Sequence, residues 1–151
     1  MAKFIYQMQN ILDIKYKLEE QAKQHYMEVR VRLNEAEERL EDLFVRKEGY
    51  FQNYRKLLAA RLRVLEIEEC KSAILLMDDY IFNQQNVIQS IRRELDEAVR
   101  LLDEAIKERK IHEKLKENQF QLFLQELNQE EAKEIDELVS YQFNSKESEE
   151  A

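Results

Sequence analysis

Between Ala22 and Leu57 the chain returns to a seam position every seven residues, in two interleaved series. One reads Ala22, Val29, Ala36, Leu43, Tyr50, Leu57; the other reads Tyr26, Leu33, Leu40, Lys47, Tyr54, Arg61. Spacings of three and four alternate, and nearly every member before Arg61 is apolar. A helix turns every 3.6 residues, so such a stripe keeps to one narrow face only if the helix supercoils left-handedly around a partner. The pattern predicts half of a coiled coil. A second pair of series, Ile74, Ile81, Ile88, Leu95, Leu102 and Met77, Gln84, Ile91, Ala98, Ala105, predicts the other half.

The strip from Leu65 to Lys71 separates the two stripes and is acidic at Glu66, Glu68 and Glu69. Ser72 after it is a credible N-cap, since its hydroxyl can accept from an N–H that lacks a helical partner. The expected fold is therefore all-α, a long two-helix antiparallel coiled-coil hairpin. Helix 1 covers about 3–66, the bend about 66–71 and helix 2 about 72–140, in one domain over 1–140. A bend centred on Glu69 sets small seam residues against large ones, Ala36 against Leu102 and Leu40 against Ala98, as interdigitated packing requires. It also places Tyr54 opposite Gln84. A rival register, one heptad shorter and centred between Leu65 and Glu66, does the same with other pairs.

Both ends are less regular. Phe4, Met8, Ile11 and Leu18 keep helical spacing, and Ile5, Leu12 and Ile14 widen the stripe beyond what one seam needs. The successive steps of four through Leu18, Ala22 and Tyr26 read as a stutter that locally unwinds the supercoil. Past Ala105 the apolar residues Ile111, Leu115, Phe120, Phe123, Leu127, Ile135 and Leu138 remain helical in spacing while the heptad slips. Residues 141–151 read as a polar, acidic, frayed tail, because Glu147, Glu149 and Glu150 would oppose the macrodipole at a helix C-terminus.

Composition sharpens this picture. Proline is absent and Gly49 is the only glycine among 151 residues, where average usage would supply about seven and ten. A chain so poor in turn formers has few turns to make. Gly49 lies inside the first stripe, and the helix is expected to run through it at a cost of about 1 kcal/mol relative to alanine. Its functional reading is a soft point or close backbone approach beside Tyr50 and Tyr54.

A net charge of −8 argues against wrapping nucleic acid or lying on an anionic membrane, both of which need a basic face. No run of 18 apolar residues is present and Met1 to Tyr6 lack a signal-peptide layout, so the chain is expected in the cytosol, without membrane insertion. The single Cys70 reads as a small, partly buried apolar residue.

Candidate chemistry is sparse. No glycine-rich phosphate loop, zinc-binding helix motif or cysteine pair occurs, which predicts no catalytic residue, no cofactor and no metal site. In the Glu69-centred register His25 and His112 come to similar heights, yet no carboxylates with ligand spacing surround them. Aromatic residues say more: Tyr50, Phe51 and Tyr54 on the first helix and Tyr80 and Phe82 on the second all lie toward the bend. Aromatics are favoured interface anchors, so a docking patch is expected there.

The opening Phe4-Ile5-Tyr6-Gln7-Met8-Gln9-Asn10-Ile11-Leu12-Asp13-Ile14-Lys15, followed by Leu18-Glu19-Glu20 and Ala22, resembles the start of the FliJ family of flagellar export stalk and chaperone proteins. The resemblance extends in length and pattern over nearly the whole chain. It implies a cytoplasmic, non-catalytic part of the bacterial flagellar type III export apparatus, peripheral to the cytoplasmic side of the membrane and similar in build to the central stalk of rotary ATPases. In that picture the paired ends enter the export ATPase hexamer, the bend reaches the membrane export gate protein, and substrate chaperones are recycled. The implied contacts are Phe4, Met8, Ile11, Phe123 and Leu127 toward the ATPase ring, and Tyr50, Tyr54, Tyr80 and Ile81 toward the gate. An injectisome stalk of the same architecture, or a parallel dimeric coiled-coil adaptor, are the alternatives, and the last differs in solution mass.

Overall fold

With one glycine, no proline and long runs of good helix formers, the chain carries few residues that interrupt a helix. The computed structural model describes the backbone of residues 2–60 and 63–150, with side chains to Lys146. It contains α1, Gln9–Ala60, and α2, Val64–Glu150, packed against each other as a helical hairpin. The chain divides into two units, Glu20–Glu104 and Met1–Glu19 with Ala105–Ala151.

In the unit Glu20–Glu104 the heptad stripes meet as expected. Val29, Leu33, Ala36, Ile88 and Ile91 form the core, with Leu40 and Leu95 packed on it. Every member of the two α2 series is buried or half-buried. Burying a large aliphatic side chain contributes roughly 1.5–3 kcal/mol, so this narrow line of residues holds the pair together. The helices are antiparallel, because partners rise along α1 as they fall along α2: Arg32 with Glu94 at 2.6 Å, Glu37 with Arg92 at 3.4 Å, Lys47 with Asp78 at 2.6 Å.

The register differs from both expected ones. The midpoint of Arg32 and Glu94 is residue 63, and that of Lys47 and Asp78 lies between 62 and 63. Ala36 accordingly joins Ile88, two heptads short of Leu102. Gln84 faces Ala36 rather than Tyr54, its Nε2 donating to the Ala36 carbonyl at 3.0 Å. The reason is that a slip by whole heptads keeps apolar on apolar, so size matching along the seam cannot choose between registers. Flanking charges can. The Glu69-centred register carries Lys47 two heptads along α2, from Asp78 to Arg92, where like charges repel; the adopted one gives each an acid.

The strip expected to bend is helical. Val64 starts α2, Ile67 N–H bonds the Arg63 carbonyl at 3.1 Å, and Ser72 lies well inside the helix. Of the three acids only Glu66 lies in the first turn of α2, where the macrodipole favours negative charge. Ile67 and Cys70 carry the seam back past Ile74, and Cys70 is buried as expected, accepting from Asn53 Nδ2 at 3.4 Å. Arg61, given a seam position, lies outside the described residues. Gly49 is helical and a Cβ there would meet nothing within 4 Å, so no close approach explains it.

In the other unit Leu12 is the residue most completely removed from solvent, at 2% exposure. The stutter is absent. Half-buried Lys15 and Glu19 occupy the seam between Leu12 and Ala22, restoring alternating steps of three and four, while Leu18 is 46% exposed. Past Ala105 the heptad likewise continues through Arg109, His112 and Lys116, and Ile111 and Leu115 turn outward. The slip read from apolar residues arises because long charged side chains hold seam positions, packing their stems and pairing their heads.

α1 begins at Gln9 rather than near residue 3. Gln9 N–H bonds the Tyr6 carbonyl at 3.2 Å, and the extended start lays Phe4 against Phe120 and Phe123. At the other end α2 persists to Glu150, where a frayed tail was expected from residue 141; no proline or glycine interrupts it. From 128 to 146 every residue is exposed.

Candidate functional site

The seam turns from aliphatic to aromatic and polar toward Leu57, and this creates surface chemistry in the unit Glu20–Glu104. Tyr50 holds a seam position yet is 39% exposed. It borders a groove with Asn53, Leu57, Glu66, Glu69, Cys70 and Ala73. Tyr54 is half-buried. Ile81 is buried in the seam and offers no surface of its own.

Tyr80 is 47% exposed and borders a different groove, with Arg39, Leu43 and Arg46 of α1 and Asn83, Gln84 and Val87 of α2. The expected patch is thus two grooves, Tyr50 in one and Tyr80 in the other. Sequence reading missed Arg39, Arg46 and Val87. Their heptad spacing is visible in the chain, but which edges face each other follows only from the register. Phe51 and Phe82 are exposed, and Phe51 lies under the Arg55 guanidinium, 4.8 Å from ring centre to carbon.

In the other unit the implied ring contacts divide. Phe4 and Phe123 pack on each other with centroids 5.5 Å apart, and Phe120 sits edge-on to Phe4 at 5.2 Å. Their first role is to hold the extended start of the chain. Met8 and Ile11 are exposed and available, and Leu127 is half-buried.

Beside these lies a polar cluster absent from the sequence reading. Arg109 Nε and Nη2 fork onto the two Glu19 oxygens, at 2.6 and 3.2 Å, while Nη1 reaches Glu113 at 3.0 Å. The Tyr16 hydroxyl donates to the other Glu113 oxygen. That bond and the nearby Arg109 hold the Glu113 carboxyl below its usual range, and the same bond raises Tyr16. Lys15 pairs with Glu108 at 3.5 Å, and Lys116 Nζ donates to the Gln9 side-chain oxygen at 2.7 Å. Such a cluster fixes which residues face each other and has no free group poised for chemistry.

His25 is exposed in one unit, and half-buried His112 belongs to the other, 4.0 Å from Glu108. The register that would have levelled them is not adopted. Among the described residues no three His, Cys, Asp or Glu side chains are grouped to hold a metal ion, and no helix is long and apolar enough to cross a membrane.

The site is thus a set of exposed aromatic and aliphatic residues on a helical hairpin, and comparison with known proteins gives it a setting. No solved structure matches the chain. The flagellar FliJ protein of Bacillus subtilis (strain 168) is 26% identical over 138 residues, covering 91% of this chain and 94% of that protein. Because the model of the family described as flagellar FliJ protein also matches residues 4–148, a span that takes in both helices and the aromatic start, the chain belongs to the flagellar FliJ family.

Proposed function

We propose that this protein is a non-catalytic component of the bacterial flagellar protein export apparatus, acting as a stalk held in the export ATPase hexamer. In this reading it couples that ring to the membrane export gate, assists recycling of substrate chaperones, and stays on the cytoplasmic side, bound to the membrane only through the apparatus. Family membership over nearly the whole chain is the observation that carries the reading. The hairpin supports it, since two antiparallel helices transmit force between partners without a catalytic pocket. Exposed Met8 and Ile11, with Leu127, are the surface offered to the ring, backed by Phe4 and Phe123. Tyr50, Tyr54 and Tyr80 are the surface offered to the gate, with Ile81 the buried seam residue next to Tyr80.

The test is co-purification of the chain with the export ATPase and, separately, with the gate protein's cytoplasmic part. Replacing Tyr50 and Tyr54 with alanine is expected to weaken gate capture more than ATPase capture; equal loss would make the tyrosines merely structural. Failure of the unaltered protein to retain the ATPase would overturn the stalk reading.

A further inference from the structure

One edge of the hairpin in the unit Glu20–Glu104 is charge-matched at one heptad and mismatched at the next two. At the first, Arg32 meets Glu94 at 2.6 Å. Seven residues along α1 and seven back along α2, Arg39 comes level with Val87; a further heptad brings Arg46 level with Tyr80. All four line one groove, floored by Leu43 and Gln84. Val87 is 46% exposed and Leu76, a turn beyond Tyr80, is exposed as well. Asp42 shares the groove three residues from Arg39 and four from Arg46, and Asn83 completes it. Among the described residues neither arginine makes an ion pair or hydrogen bond, with Asp42 or with any other group.

A two-helix pair leaves this edge unsatisfied: two guanidiniums face apolar side chains, and two large apolar side chains face water. An added helix resolves both at once. Seven helical residues span about 10.5 Å, so carboxylates seven apart on that helix come level with Arg39 and Arg46. Apolar residues on its adjacent face cover Val87, Tyr80 and Leu43. Arginine suits this role because its planar fork takes a carboxylate through two bonds. A nucleic-acid backbone fits less well, since its phosphates offer no apolar face to cover Val87, Tyr80 and Leu43.

We propose that the groove between Arg39–Arg46 and Tyr80–Val87 is a docking site for an acidic amphipathic helix of a partner protein, which packs there as a third helix. The inference goes beyond the export reading and does not rest on it. It concerns the chemistry of the segment that binds, whichever partner presents it.

The experiment uses the full chain and two synthetic helical peptides sharing one leucine stripe, one with glutamates seven apart beside it and one with lysines there. Binding is followed by fluorescence anisotropy to about 1 mM protein. The glutamate peptide is expected to bind about tenfold more tightly than the lysine peptide, as two exposed ion pairs exchanged for two repulsions imply. Arg39→Glu with Arg46→Glu should reverse the preference, Val87→Ser should weaken both peptides, and Arg93→Glu, away from the groove, should change neither. Circular dichroism checks that each variant stays helical, and Arg39→Gln with Arg46→Gln provides a milder pair that abolishes the preference. Equal binding of the two peptides, no binding by either, or the same loss in Arg93→Glu overturns the proposal.

Discussion

Arg109 on α2 grips the Glu19 carboxylate of α1 through two bonds, with both side chains only about a fifth exposed. Both occupy seam positions that an aliphatic pair would fill more cheaply, so the contact serves registry better than stability. Replacing Arg109 alone by leucine should lower the thermal midpoint, because Glu19 is then left half-buried without its partner. Replacing both by leucine should restore or exceed the original midpoint. Spin labels on the two helices of this unit should then show a broader distance distribution than in the unaltered protein, since the clasp that forbids slippage is gone.

The Tyr16–Glu113 bond makes stability depend on pH in two directions. Glu113 is held below its ordinary value of 4.5, so its contribution is present above that pH and fades as pH falls through the lower folded value. Tyr16 is held above 10.0, so its contribution is present below that pH and is lost as pH rises through the higher folded value. The difference in thermal midpoint between the unaltered protein and Tyr16→Phe should therefore be widest between these limits. It should shrink on either side, and a difference that ignores pH would mean the hydroxyl bond contributes nothing.

These clusters also explain what the sequence conveyed and what it withheld. Seam membership was legible because burial follows periodicity: Val29, Leu33, Ala36, Ile88 and Ile91 are both heptad members and core. Register was not, since Ala36 finds an aliphatic partner in any whole-heptad slip, and the discriminating information sat in Lys47, Arg92 and their acids. The polar seam at Lys15, Glu19 and Arg109 was hidden because a stripe drawn through apolar residues alone passes to Leu18 and Ile111 instead. The start of α2 was masked by reading an acidic strip as a bend, when Glu66 sits in the first turn of a helix and Glu68 and Glu69 lie within it. Of the candidate site, the exposed tyrosines were visible in advance and the arginines opposite Val87 and Tyr80 were not, because a charge beside a seam normally signals nothing beyond solvation.

Gln84 is the polar member of the α2 seam in the unit Glu20–Glu104, and its amide donates to a carbonyl that helix α1 already uses. Losing that donor leaves no orphaned acceptor, so the bond's net worth is at most about 1 kcal/mol. Leucine in its place would bury more apolar surface, at about 25 cal/mol per Å². Gln84→Leu is expected to raise stability by about 1 kcal/mol in urea denaturation, and Gln84→Ala to lower it by about as much. A destabilised leucine variant would show that the site lacks room for a branched side chain.

Gly49 is helical and solvent-exposed, and a Cβ added there would meet nothing within 4 Å beyond its own helix backbone, so a methyl group displaces nothing. Alanine would remove the excess chain entropy that glycine keeps in the unfolded state, worth up to about 1 kcal/mol. Gly49→Ala should raise the thermal midpoint by a few degrees. Export-dependent motility of cells carrying the variant then separates two explanations for the glycine. Unchanged motility makes Gly49 a tolerated weakness in α1. Reduced motility in a more stable protein would mean that bending at this point, one residue before Tyr50, is needed for export.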